Sequence, residues 1–212
     1  MSDTVQLPLQ QYRLLVAVRY LNASQSLYEG MKRQCGVNNF HYLVTLRSFI
    51  EYNRRGIWFL AWATEDQLKA AEKLTFNQSG SPNLVRMDKM VNEALGLGKV
   101  CYLLAAPNGI NESFLNCLHA LTHGNPISVR MVGIGLEKIF DTEKLLARAE
   151  LEQHLFAILL YRRSLGEELA SIWKLIAPIR NRPDEMRANA KIAAFQLKQM
   201  GDLHKIIAGK NH

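Results

Sequence analysis

The stretch HYLVTLRSFIEYNRRGIWFLAWATEDQLKAAEKL, residues 41–74, decides the fold of this 212-residue chain. Its spacing of apolar residues predicts a long helix over Phe40–Ala63 that is apolar on nearly every side. A helix of that kind lies at the centre of a protein, because other elements must cover it all round. Thr64, with two acidic residues behind it, is typical of an N-cap, so a second, short helix is expected to follow to about Leu74.

Start and stop signals on both sides of this stretch predict further helices. They indicate helices opened by Pro8, over Leu84–Leu95, after Asn111, from Asp141 to about Ala177, and from Pro183 to Gly209. Two apolar segments, Val100–Ala105 and Ile127–Gly135, are too short for their pattern to decide between strand and helix. We therefore predict an all-α fold: one domain over residues 1–212, an irregular bundle of about seven or eight helices with a C-terminal amphipathic helix over about 183–208.

The composition is that of a globular protein, with 48% hydrophobic and 21% charged residues and a net charge of +7. The three cysteines are widely spaced and show no zinc-binding spacing, so neither a metal nor another cofactor is implied. The N-terminus has no signal-peptide pattern, and no apolar run approaches the roughly 18 residues that span a bilayer. We expect a reduced, cytoplasmic protein without a membrane partner. Apolar stretches such as Leu155–Leu165 suggest more burial than one small bundle supplies, and we therefore expect a homodimer.

Charged side chains form a stripe on the otherwise apolar central helix. Arg47, Glu51 and Arg54 share this stripe with Trp58. Arg47 and Glu51 are four residues apart and can pair along the helix, so one interpretation is a structural ion-pair clamp. The other is a ligand site, in which Arg47 binds an anion, Glu51 orients it and Trp58 supplies a flat wall.

Histidines offer weaker signals for chemistry. His119 and His123 share a helix face, but no third metal ligand is spaced near them, so we predict no metal site. His123 precedes Gly124 at the end of a helix, where a histidine either bonds the last carbonyl groups or joins a site.

An arginine and a histidine on the long helix have the spacing that some helical ribonucleases use. In those enzymes the arginine holds the scissile phosphate and the histidine acts as acid or base, which here makes Arg148 and His154 the candidate catalytic pair. The alternative is that both are solvated helix residues close to Glu150 and Glu152.

A basic stripe runs along the last helix. Arg187, Lys191, Lys198 and Lys205 fall within a sector of about 40°. Such a stripe either follows the phosphates of a nucleic acid or is the solvated face of an amphipathic helix. Ile192 and Phe195 lie toward the other side, where we expect Phe195, like Trp173, to be part of the core.

Two segments together resemble uncharacterised bacterial all-helical families that are grouped with HEPN-like and abortive-infection proteins. RSFIEYNRRGIWFLAWA, residues 47–63, is similar to their central helix, and LHALTHGNPIS, residues 118–128, to their Ser/Thr-His-Gly segment. The resemblance covers roughly residues 40–135. It implies a bundle in which Arg47, Glu51 and His123 converge, and it implies no particular activity. In HEPN nucleases the arginine of the Arg-His motif is usually followed by a polar residue, and here Ala149 follows Arg148.

Two functions of different classes follow from these patterns. The first is a non-catalytic helical module that binds a partner or an anionic ligand, in phage defence or stress response. The second is a metal-independent, HEPN-like ribonuclease, with RNA as the partner. We favour the first, because the spacing that supports catalysis is short enough to arise by chance. The two differ in geometry, since catalysis needs the arginine and the histidine in one accessible cleft.

Overall fold

A computed structural model describes residues 9–72, 82–96, 118–123 and 141–209, except for the side chains at 71–72 and 202–209. These residues form seven helices and a helical turn over 118–122, and no strand occurs among them, so the all-α prediction is confirmed. The helices are α1 (Leu9–Gln34), α2 (Asn39–Ala61), α3 (Glu65–Glu72), α4 (Leu84–Ala94), α5 (Thr142–Ser164), α6 (Leu169–Ile179) and α7 (Pro183–Gly209). The segments Val100–Ala105 and Ile127–Gly135 lie outside the described residues.

Helices α1 and α2 form an antiparallel hairpin with α2 at the centre. The hairpin turns at Gly36, whose positive φ of 73° suits glycine, and α2 begins where the Asn38 side chain accepts from the His41 amide at 3.1 Å. Ring contacts run in reverse order along the two helices: Tyr20 stacks on Phe59 at 5.4 Å, and Tyr28 meets Phe49 at 6.4 Å. The predicted central helix is therefore present and buried along its second half.

Helix α3 starts at the predicted cap. The Thr64 amide donates to the Gln67 side chain at 2.9 Å, and the Gln67 amide donates back to the Thr64 hydroxyl at 3.4 Å. This reciprocal pair is a capping box, which satisfies two backbone donors that the first turn leaves open.

Helix α5 crosses the hairpin and touches both α1 and α2. Ser24 of α1 donates to the Gln153 side chain at 2.8 Å inside the protein. Gly56 of α2 faces Phe156 so closely that a Cβ atom there would lie 2.3 Å from the phenyl Cζ. The crossing is this tight because residue 56 has no side chain.

The apolar run in α5 is covered by the chain itself. Residues 155–160 are all buried, whereas Leu165 beyond the helix end is 54% exposed. They pack with α1, α2, α6 and α7, and Trp173 of α6 stacks on Trp62 at 5.9 Å. The single chain therefore accounts for the apolarity that suggested a dimer, and the prediction of Trp173 as core is confirmed.

The long helix predicted from Asp141 to about Ala177 is wrong in its extent. Asp141 does cap α5, accepting from the Lys144 amide at 3.0 Å, but α5 ends at Ser164. Gly166 has a φ of 84°, its amide donates to the Arg163 carbonyl, and the next amide donates to the Arg162 carbonyl. These bonds make a Schellman motif, which ends the helix and lets α6 begin three residues later.

The outer face of α7 also differs from its prediction. Ile192 and Phe195 are each 59% exposed, while Met186, Ala190 and Ala193 are buried. Beyond Met186 the buried face of α7 consists of the small Ala190 and Ala193, which let the helix pack closely, and Ile192 and Phe195 are left on the outside. None of the described helices is long and apolar enough to cross a membrane.

Candidate functional site

The predicted ligand site on α2 is divided between surface and core. Arg47 and Glu51 pair at 3.0 Å with side chains 18% and 32% exposed, and Glu51 also pairs with Arg55. Trp58 is buried, packed edge-on against Phe59. The structural ion-pair interpretation therefore describes the Arg47 end of the stripe, and Trp58 is part of the core.

Arg54, two turns further along α2, is enclosed by polar groups from three helices. Its side chain is 1% exposed and pairs with Asp88 of α4 at 2.9 Å and with Glu152 of α5 at 2.8 Å. The third guanidinium nitrogen of Arg54 donates to Asn53 Oδ1 at 3.0 Å, and Asn53 Nδ2 donates to the backbone carbonyl of Glu152 at 3.2 Å. This buried network, which we call the Arg54 network, ties α2, α4 and α5 together.

Charge and burial compete within the Arg54 network. Burial by itself lowers the pKa of Arg54, but Glu152 and Asp88 outweigh it and the net shift is upward. Burial raises the pKa of Glu152, reinforced by Asp88 and opposed by Arg54 and Arg148. One guanidinium thus serves two carboxylates, and burial makes the ionisation of Glu152 less favourable than it is in water.

A pocket of about 230 Å³ opens beside Glu152. Its polar wall comes from α2, α4, α5 and the turn between α6 and α7, and its remaining wall is apolar. It is lined by Arg54, Asn92, Leu95, Arg148, Leu151, Glu152, Leu155, Arg180, Asn181, Pro183 and Met186. We call it the Arg148 pocket. Its volume is below the range typical of sites for drug-sized ligands, so it suits a small metabolite.

Arg148 lines this pocket. It forms no hydrogen bond and no ion pair with any described residue. It stands one helical turn before Glu152, a spacing at which opposite charges commonly pair directly. The carboxylates of Asp88 and Glu152 both pair with Arg54, whereas no described carboxylate forms an ion pair with Arg148. The site can therefore accept an anionic group.

His154 does not line the Arg148 pocket. It is half-buried among residues of α5 and α7, and its Nδ1 is buried without a hydrogen-bond partner in the part of the chain described. Burial lowers its pKa below the ordinary 6.5, Arg187 and Lys191 add to this, and Glu150 opposes it. The structure thus leaves the two residues of the predicted catalytic pair in different surroundings.

Four of the other predicted site residues are exposed: His119, His123, Lys191 and Lys198. His119 and His123 lie in contact, with ring centroids 4.2 Å apart, and both side chains are exposed. No group of three possible metal ligands occurs among the described residues. In the basic stripe Arg187 pairs with Glu150 at 3.0 Å and with Asp184, while Lys191 and Lys198 are exposed. The Lys205 side chain lies outside the described residues.

Sequence reasoning singled out Arg54 and Arg148 but missed Asp88, Asn92, Glu152 and Arg180. Asp88 is separated from Arg54 by 34 positions, and Glu152 by 98. No local spacing joins such residues. The available signal was that α4 buries Asp88 and Asn92, one turn apart on the face that its apolar residues also occupy.

Comparison with known proteins adds no neighbour to this description. No family model, no curated protein and no solved structure matches the chain. The resemblance to HEPN-like and abortive-infection families stays a prediction that rests on the two sequence segments.

Proposed function

We propose that this chain is a non-catalytic module that binds a small anionic ligand in the Arg148 pocket. The observation that carries the proposal is Arg148 itself, which lines the pocket and forms no ion pair with any described residue. An arginine so placed binds a carboxylate or a phosphate through two parallel hydrogen bonds. Arg180 adds a second cation to the same wall.

The test is binding measured by isothermal titration calorimetry, with inorganic phosphate and 4-methylpentanoate as probes. We expect at least one probe to bind wild type, and its affinity to fall at least about tenfold in Arg148→Gln. Arg47→Gln is the matched control, because it removes a helical arginine outside the pocket and should leave binding unchanged. Absence of binding by phosphate and by every carboxylate probe, or equal loss in the two variants, would refute the proposal.

A metal-independent ribonuclease is the second candidate, supported by the presence of Arg148 in an open pocket. The histidine that this mechanism needs as acid or base is not in the pocket, since His154 is not among the residues that line it. RNA cleavage in EDTA by wild type, abolished in His154→Ala with the circular dichroism unchanged, would establish this alternative in place of ours. The basic residues Lys191 and Lys198 would then be tested for RNA binding.

The proposal of a homodimer no longer rests on the apolar run of α5, which the chain itself covers, but on the outer face of α7. Ile192 and Phe195 leave an apolar patch on the outer face of α7, where a second copy could pack. Light scattering at micromolar concentration should give twice the chain mass, and a monomer would remove this proposal. A bacterial setting in phage defence or stress response is a proposal that rests on the sequence resemblance, and a cytoplasmic location is a proposal that rests on the widely spaced cysteines.

A further inference from the structure

The polar wall of the Arg148 pocket contains hydrogen-bond acceptors that the described residues leave unused. Glu152 uses its Oε2 to accept from Arg54 at 2.8 Å, and no described residue donates to its Oε1. Asn92 donates from Nδ2 to Asp88 at 3.1 Å, and its buried Oδ1 has no hydrogen-bond partner in the described part of the chain. A buried acceptor without a donor is costly, so this side of the pocket calls for a donor.

Cationic donors stand on the same polar wall. Arg148 and Glu152 are one helical turn apart on α5, yet they form no direct ion pair, and a ligand can therefore separate them. Arg180 enters from the end of α6. The wall thus offers cations and acceptors within one small volume, which is a more specific arrangement than Arg148 alone.

The rest of the pocket is apolar. Leu95, Leu151, Leu155 and Met186 line it, and of these Leu95, Leu155 and Met186 are buried. An anion with no apolar part, such as inorganic phosphate, would leave these side chains without contact. A ligand that fills the pocket therefore combines a charged end with a short hydrocarbon body.

We propose that the ligand of the Arg148 pocket is a zwitterionic α-amino acid with an apolar side chain. Arg148 and Arg180 bind its carboxylate, Glu152 Oε1 and Asn92 Oδ1 accept from its ammonium group, and its side chain packs on the leucines. This inference rests on the proposed function, since it requires that the pocket binds a carboxylate. It adds that the ammonium group is recognised as well.

Three probes with one hydrocarbon body separate these requirements: L-leucine, 4-methylpentanoate and 3-methylbutylamine. We expect calorimetry to show leucine binding at least about tenfold more tightly than either single-charge probe. Equal affinity for leucine and 4-methylpentanoate would overturn the amino-acid inference and leave the proposed function standing. Binding of none of the three, and of no phosphate, would overturn both. If 3-methylbutylamine binds most tightly of the three probes, both the amino-acid inference and the proposed function are overturned.

Two variants assign the contacts. Glu152→Gln keeps an oxygen for Arg54 but removes the charge, and it should weaken leucine about tenfold while 4-methylpentanoate binds as well as before or better. Arg148→Gln should weaken both. If Glu152→Gln does not fold, the site is tested in wild type by nuclear Overhauser effects between the bound L-leucine and the methyl groups of Leu151 and Leu155. Their presence supports the site, and their absence at saturating leucine overturns it.

Discussion

At the scale of single residues, Arg54 is the largest fully buried side chain in the described part of the chain. Its guanidinium is 1% exposed, and it faces two carboxylates whose exposures are 1% for Asp88 and 13% for Glu152. A buried ion pair adds little net stability against an apolar replacement, because desolvation opposes the attraction. Removing only one partner is a different matter, since it leaves the other charges buried and uncompensated.

Arg54→Met should therefore lower the free energy of unfolding by about 3–5 kcal/mol. The control is Arg47→Met, which breaks a partly exposed pair on the same helix and should cost no more than about 1 kcal/mol. Urea unfolding at pH 7, followed by circular dichroism, measures both. Similar losses in the two variants would contradict the burial of the Arg54 network.

His154 gives the stability of the protein a dependence on pH. Burial places its pKa in the folded chain below the ordinary 6.5, so near pH 6 the unfolded chain binds more protons. The contribution of His154 is therefore present above pH 6.5 and is lost as the pH falls below that value. Wild type should lose stability between pH 7 and pH 5, and His154→Gln should lose less. Equal slopes, or an upward shift in an NMR titration of His154, would contradict this.

At the scale of helices, the crossing of α2 with α5 depends on Gly56. A Cβ atom there would meet Phe156 at 2.3 Å and Tyr20 at 2.7 Å. Gly56→Ala should thus destabilise the protein by about 1–3 kcal/mol, although alanine is the better helix former. Gly30→Ala, in a helix where an added Cβ meets nothing within 4 Å, should instead stabilise by about 0.5–1 kcal/mol. Thermal unfolding of the two variants should show shifts of opposite sign.

Helices were predictable from sequence where a local signal governs them, and less so elsewhere. The caps at Thr64 and Asp141 act through residues three positions away, and both were predicted correctly. The end of α5 was missed because Gly166 was overlooked within a continuous apolar pattern, although the Schellman motif is also local. The side of α7 that faces inward was misjudged, because close packing on α5 favoured alanines over the larger Phe195.

At the scale of the whole molecule, α2 connects the two halves of the core. Both hydrophobic clusters contain residues of α1, α2, α4 and α5, whereas α3 and the 118–122 turn belong to one cluster only, and α6 and α7 to the other only. The elements that lie between two clusters open only when the whole fold opens. Amide hydrogens of residues 46–60 should therefore exchange more slowly than those in the first two turns of α7. Faster exchange in α2, measured by NMR or mass spectrometry, would contradict its central place.

The candidate site shows why the whole molecule is harder to predict than its parts. Arg148 and Arg54 were each recognised from sequence, but for different sites, Arg148 as half of a catalytic pair and Arg54 as part of the charged stripe. They share one pocket because α5 crosses α2 at one particular height, and no periodicity within either helix specifies that height. Residues of α4 and of the α6–α7 turn also line the pocket, and tertiary contacts again place them there.

The close approach at Gly56 also bears on how relatives of this chain can be found. Residues 56 and 156 share one fixed space, so the sizes of their side chains should vary in opposite directions from one relative to another. A chain with alanine or serine at the first position would need leucine or valine at the second to keep the helices at this separation. Such a compensating pair, 100 residues apart, would show that the same helix crossing is kept in relatives that align over both helices.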